Sequence, residues 1–264
     1  MPFKFDEAFE GHTMPEGALP VRCHVLQASQ ASDLENYLVE SLPECYITQK
    51  QLKSRVEETE FTPSQILANK LPDTGNVMSG DFGEIITMYF LSNERPEKTT
   101  LLKKWKYKQD RRKAAPHSDI VIFHRENSDS ASENDFIICA EAKQKATRSK
   151  TYIPISNAIE GYLDDKTGRL ARTLTWLREK AIDQESPKRI KFLNRFTVDP
   201  TIEYLKHFKA VAIIDRALLD NEITRQIALP HQDDSFEVVV LGIDDLKTFY
   251  ERVYSRAINE VTLE

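Results

Sequence analysis

An aspartate and an E-x-K triplet are the residues in this 264-residue chain whose types and spacing are best suited to chemistry. Asp119 precedes the apolar run Ile120-Val121-Ile122-Phe123, and Glu141-Ala142-Lys143 closes the run Phe136-Ile137-Ile138-Cys139-Ala140. Both runs read as strands. Side chains two apart on a strand share a face, so Glu141 and Lys143 project together while Ala140 and Ala142 point the other way. If the strands pair through the polar stretch 126–135, both carboxylates meet at one edge of the sheet. Two hard oxygen ligands with open positions suit Mg2+ or Mn2+, which keep several waters and take further ligands from a substrate phosphate. Such an ion polarises a scissile phosphate and acidifies a bound water, while a lysine beside it orients the attacking water and offsets charge developing on phosphorus. The small Ala142 leaves its backbone carbonyl accessible as a further ligand. The chemistry implied is phosphodiester hydrolysis, with Asp119 and Glu141 as ligands and Lys143 as the catalytic cation. A lone E-x-K occurs by chance in most proteins, and the plainer alternative is a solvated strand end whose ion pair is worth little.

Other candidates surround the triplet. His117 lies two residues before Asp119 and so falls on its face; it is either a phosphate contact or a hydrogen-bonded structural histidine. Gln144 and Lys145 follow the triplet as candidate substrate contacts, although a polar strand end explains Gln144 equally well. Lys104, Lys106, Arg111 and Arg112 are candidates for contacts to a phosphate backbone, with no base-reading role. Cys139 sits in the apolar part of its strand, where cysteine behaves as a small hydrophobe. Trp105 and Tyr107 read as core or interface residues rather than stacking platforms.

The elements that must position these residues follow from periodicity. A strand at 21–26 is followed by helices at 32–39, capped by Ser32 or Asp33, and at 48–58, with a third short helix starting at Pro63. The segment 71–80 has the composition of a loop and leads into an apolar helix from Asp81 to Leu91. Residues 100–108 alternate as a strand, Trp105 and Tyr107 on one face and Lys104, Lys106 and Lys108 on the other. Strands at 117–124 and 136–143 flank the polar turn. A long helix spans 157–183, with Asn157 and Glu160 as a capping box. The runs 209–215 and 236–243 read as strands buried on both faces, and Asp244 or Asp245 caps a final amphipathic helix. Strands alternating with helices give an α/β domain with a mixed sheet, and no linker divides it.

Composition is that of a globular protein: 40% hydrophobic and 30% charged residues exclude a mostly disordered chain. The N-terminus lacks an apolar core and does not read as a signal peptide. Cys23, Cys45 and Cys139 are scattered and odd in number, which argues against a disulfide framework and for a reducing cytoplasm. The net charge of −6 conceals segregation. Between Lys98 and Lys113, eight basic residues face the single acid Asp110, and Lys143, Lys145, Arg148 and Lys150 form a second cluster. A basic face on an acidic protein suits a polyanionic partner at one place, though a charge run is more often a solvated surface.

The order Gly80-Asp81-Phe82-Gly83-Glu84, a strand, His117-Ser118-Asp119, a turn and Glu141-Ala142-Lys143 resembles the PD-(D/E)xK nuclease superfamily. More narrowly it resembles the HamA family, nuclease subunits of Hachiman anti-phage defence systems. The resemblance rests on 79–162, the rest matching in size and layout. It departs from the superfamily pattern at Ser118, where a proline usually stands; Pro116 lies three residues before Asp119. It implies a restriction-endonuclease-like core with a central mixed β-sheet flanked by helices: one nuclease domain over 1–264, with 1–75 as an N-terminal helical elaboration. It also implies a third metal-ligating, catalytic acid at Glu84, although Asp81-x-x-Glu84 equally fits a capping box that involves no metal. The activity implied is that of a Mg2+- or Mn2+-dependent DNase, held in check by the superfamily 2 helicase HamB and released when that helicase engages aberrant DNA. Two rivals stand beside it: a catalytically silent module that binds nucleic acid or the helicase, and a stand-alone resolvase or repair nuclease. The intact Asp119, Glu141 and Lys143 count against the silent module. No Walker A loop, nucleophile elbow or His/Cys metal cluster is visible.

Overall fold

The computed structural model describes residues 3–93, 98–198 and 202–263. Its strands are β1 (Phe9–Gly11), β2 (Arg22–Leu26), β3 (Thr99–Leu101), β4 (Ile120–His124), β5 (Phe136–Lys145), β6 (Leu205–Asp215) and β7 (Phe236–Ile243). They form one mixed sheet in the order β1-β2-β7-β6-β5-β4-β3. The middle four, β2, β7, β6 and β5, run parallel, whereas β1 pairs antiparallel with β2 and the β5-β4-β3 arm is antiparallel throughout. The helices are α1 (Phe5–Ala8), α2 (Ala31–Ser41), α3 (Pro43–Tyr46), α4 (Gln49–Glu58), α5 (Pro63–Ala68), α6 (Asn76–Asn93), α7 (Pro154–Asp164), α8 (Leu170–Asp183), α9 (Pro187–Thr197), α10 (Arg216–Ile223) and α11 (Leu246–Glu260). This is the expected α/β class, with a mixed sheet flanked by helices, and it is consistent with a restriction-endonuclease-like core.

Period-two alternation divides the sheet into two packed faces. Ile120, Ile122, Ile138, Ala140, Ala142, Val211 and Val239 lie in one core cluster with α6, α11 and the N-terminal helices. Val121, Ile137, Cys139, Ala210, Ala212 and Val238 lie in the other, under α7, α8, α9 and α10. Helix α6 is buried at every position from 81 to 91, as expected of a helix wedged between a sheet and a second helical layer. That outer layer starts α4 and α5 with true capping boxes, Thr48 with Gln51 and Thr62 with Gln65. It is tied to the last helix through Glu35, whose carboxylate meets Arg252 at 2.6 Å and Arg256 at 2.9 Å. Among the described residues no helix is long and apolar enough to cross a membrane.

Four local expectations give way to tertiary structure. Helix α6 starts at Asn76, so 76–80 is helix rather than loop and Asp81 is interior; its carboxylate takes Lys108 and Tyr46, and Asp81-x-x-Glu84 is no capping box. The strand expected at 100–108 stops at Leu101, and Lys104–Tyr107 is a 3-10 turn. Strand alternation would have sent Lys104 and Trp105 to opposite faces, but both are buried and both reach the Glu84 carboxylate. The long helix expected at 157–183 begins at Pro154 after Ile153, without an Asn157–Glu160 box, and is interrupted by a π-turn at Asp165–Arg169. Helices α2 and α11 also start without the expected side-chain caps. In α11 the Leu246 N–H is instead satisfied by Asp215 Oδ2 at 3.0 Å.

Gly168 makes that interruption possible: its φ of +144° is one that side-chain-bearing residues rarely adopt. Gly168→Ala should therefore lower unfolding free energy by about 1–3 kcal/mol in urea titration, and an unchanged midpoint would show that the turn is not strained in this way.

Candidate active site

Pairing of β4 with β5 sets Ile120 opposite Ala140, and the same register carried one residue further sets Asp119 against Glu141. Asp119 Oδ2 accepts the Ala142 N–H at 3.1 Å, which fixes its carboxylate at the point where β5 runs on past β4. Glu141 and Lys143 share the α7 face, as strand phase requires. The Lys143 ammonium stands between the two carboxylates, 3.6 Å from Asp119 Oδ2 and hydrogen-bonded to Glu141 Oε1. The strand pairing thus brings Asp119, Glu141 and Lys143 together.

Glu141 is only 3% exposed. Its carboxylate lies against α7 at Gly161, where any Cβ would overlap it, so the close approach requires glycine. Its second oxygen takes the Arg169 guanidinium. Arg169 comes from the π-turn and is held in place by Asp165, which accepts from Nε and Nη2 at 2.8 Å each, and by the Gly161 carbonyl at 2.7 Å. Asp165 is buried in turn and accepts the Ser118 hydroxyl at 2.6 Å, while the Ser118 N–H donates to Thr173 Oγ1 at 3.1 Å. A proline at 118 could make neither bond, which gives the departure from the superfamily pattern a structural use here.

Electrostatics follow from burial and neighbours. Burial, with Asp119 close by, pushes the Glu141 carboxyl up to about 7. Burial acts the same way on Asp119, but Lys104, Lys143 and the Ala142 N–H together outweigh it and hold Asp119 below its ordinary value. Burial lowers Lys143, yet Asp119 and Glu141 more than reverse this and raise it to about 12. Glu84 is raised chiefly by burial.

Glu84 arrives from α6, on the opposite face of the sheet from Glu141. Its Oε2 accepts the Trp105 indole N–H at 3.0 Å and lies 3.2 Å from Lys104 Nζ. Lys104, 1% exposed, donates to the Ser118 carbonyl at 3.0 Å and reaches Asp119 Oδ1 at 3.6 Å. It is a buried bridge between Glu84 and Asp119 rather than a surface contact. Among the described residues no group of three or more His, Cys, Asp or Glu side chains is arranged to hold a metal ion. The donor set is the pair Asp119 and Glu141, already gathered around one cationic nitrogen. That chemistry fits Mg2+, which is bound through one or two carboxylates and keeps its remaining positions for water and phosphate.

The other candidates separate. Lys145 is buried, its ammonium taken by Glu222 at 2.7 Å and by the carbonyls of Tyr152 and Ser149 at 2.7 and 2.8 Å. Arg111 is held by the Ala68 and Leu71 carbonyls and by Asp73 at 2.6 Å. Lys145 is thus a buried structural tie, whereas Arg111 is tied down with its side chain still 39% exposed. Gln144 points to the α6 face, where its amide donates to Ser79 at 2.9 Å and its buried Oε1 has no partner among the described residues. Arg112 has a 75% exposed side chain beside Asp110, and Lys106 lies over the Tyr107 ring at 5.6 Å. His117 has φ +73°, so strand alternation does not place it on the Asp119 face. Its ring packs on Trp176, and burial, with Lys104 and Arg172 near, lowers its pKa. Arg169, Asp165 and Gly161 had no place in the sequence reading. The available signal was Gly168, a breaker inside an otherwise helical stretch.

Two outcomes test this geometry. Without divalent cations, the Glu141 carboxyl should titrate near 7 by 13C NMR. The folded chain then keeps a proton that the unfolded chain releases near the ordinary carboxylate value, so this group's contribution to stability declines as pH rises through that window. Titration at the ordinary value would mean the carboxylate is not buried as described. Lys145→Met strands Glu222 with Arg225 as its remaining partner, and should cost about 3 kcal/mol in urea unfolding; no loss would return Lys145 to the open cations.

Among curated proteins none matches the chain. The family model described as HamA matches residues 5–257, nearly the whole sequence. The chain belongs to the HamA family.

Proposed function

We propose that this chain is a Mg2+- or Mn2+-dependent DNase of the PD-(D/E)xK type, the nuclease effector of a Hachiman anti-phage system governed by a superfamily 2 helicase. The observation that carries the reading is the Lys143 ammonium held between Asp119 and Glu141 at adjoining strand ends. Family membership supports the defence role, and with it the helicase partner.

In this reading Asp119 and Glu141 hold the ion, which supplies Lewis acidity toward phosphate and a water acidified enough to attack it. Lys143 orients that water and offsets the charge developing on phosphorus. Arg169 balances the buried Glu141 charge and fixes its rotamer, while Glu84 acts at one remove by holding Lys104 against Asp119. Lys106 and Arg112 remain as contacts to flanking phosphates, where cations position the strand without reading its bases. A silent binding module has no need of a carboxylate buried against a glycine and balanced by two cations, and this counts against that alternative.

The test uses purified chain with its helicase partner and damaged plasmid DNA. Wild type should degrade the DNA with Mg2+ or Mn2+ and stop on chelation. Glu141→Ala or Lys143→Ala should lower the rate by about 100-fold or more while DNA binding persists. Undiminished cleavage by both variants would sink the site, and inert wild type would favour the binding module.

A further inference from the structure

Outside the carboxylate centre, one group of side chains has no role in the chemistry described so far. Tyr107, His117 and Trp176 come from three separate segments and meet beside the entry to β4. The His117 ring lies on the Trp176 indole at 4.6 Å and 32°, and Tyr107 meets the same indole edge-on at 5.4 Å. All three are half-buried rather than sealed in the core.

Cations frame the rings. Arg172 is exposed one helical turn before Trp176 on α8, and residues four apart share a helix face. Lys106 and Arg189 each lie 5.6 Å from the Tyr107 ring, and Arg189 also hydrogen-bonds the Tyr107 hydroxyl. The backbone at His117 is left-handed, a conformation that a non-glycine residue keeps only where its surroundings over-determine it. Two residues later the chain reaches Asp119. An aromatic ledge rimmed by guanidinium and ammonium groups, on the same segment as a candidate metal ligand, has the chemistry of a site that takes a nucleobase on its rings and the adjoining phosphates on its rim.

We propose that Trp176, His117 and Tyr107 form a stacking subsite for an unpaired base, so that the strand delivered to the Asp119–Glu141 centre is single-stranded at that point. The proposal rests on the nuclease reading for the fate of the strand, but not for its binding. Bases inside a duplex have both faces covered by neighbours, and only an unpaired stretch or a frayed end offers a free face to the ledge. Electrostatic contacts alone would hold either form.

The experiment is done first in EDTA, so that no strand is cut. A short single-stranded oligodeoxynucleotide is titrated into the whole chain while tryptophan emission is followed. Of the two tryptophans, Trp105 is 1% exposed, so quenching reports Trp176. Wild type should be quenched and should bind this strand about tenfold tighter than an abasic strand of equal length. Trp176→Leu, which keeps an apolar side chain on α8, should bind both strands alike, at the abasic affinity, and Trp176→Phe should restore part of the preference. Equal wild-type affinity for the normal and abasic strands, or an undiminished preference in Trp176→Leu, would overturn the proposal. Cleavage with Mn2+, the helicase partner and damaged plasmid DNA supplied, separates the two readings. Base-dependent binding without any cleavage retains the ledge and removes the nuclease, whereas cleavage with no base preference does the reverse.

Discussion

A carboxylate buried as deeply as Glu141 sets the terms for everything around it. Taking an ionised group out of water is costly unless partners close by replace its hydration. Here the replacements are Lys143 on one oxygen and Arg169 on the other, and each of these is constrained in turn. Lys143 must share a strand face with Glu141. Arg169 must be brought in by a helix that breaks at the right residue, clamped by Asp165 and satisfied through Ser118. Asp119 raises the cost further by adding like charge, and Lys104 offsets it from behind while tying in Glu84. The sheet end is therefore one coupled set of charges spanning both faces, and its parts depend on one another more than their separation in sequence suggests.

That dependence explains which parts of the site were legible from residues alone. Strand phase is local: alternation predicts that Glu141 and Lys143 point together, and the apolar runs on either side of a polar turn predict that Asp119 meets them. The strands buried on both faces, β6 and β7, were legible for the same reason. The segment around Trp105 was not, because alternating lysines and aromatics imitate a half-buried strand while the actual constraint is a polar one. Lys104 is drawn inside by two acids, and a turn, unlike a strand, can bring it and Trp105 to the same carboxylate, that of Glu84. Lys145 and Arg111 were open to misreading in a similar way. A cation beside an E-x-K reads as a phosphate contact, and nothing short of the tertiary structure shows Glu222 or the Ala68 carbonyl waiting for it.

Arg169 illustrates a different limit. It lies 28 residues from Glu141 in the chain, inside what reads as one long amphipathic helix. A continuous helix would present it in a register set by its neighbours. The π-turn at Gly168 resets that register and aims the guanidinium at the strand end. The chemistry of the site thus depends on a local irregularity, and irregularities are where pattern-based reading is weakest.

The strand order has a consequence for how the molecule comes into being. Strands β4, β5 and β6 are neighbours in space and follow one another along the chain, so the polypeptide can pair them as soon as it has been made. Strand β2 emerges earlier but lies on the far side of β7, whose residues follow those of every other strand in the sheet. Until then the first part of the chain has no place in the sheet, and α2 lacks the two arginines of α11 that take Glu35. Closure of the fold thus waits for β7: a chain cut short before residue 236 would carry every residue of the carboxylate centre yet lack the strand that joins its two halves.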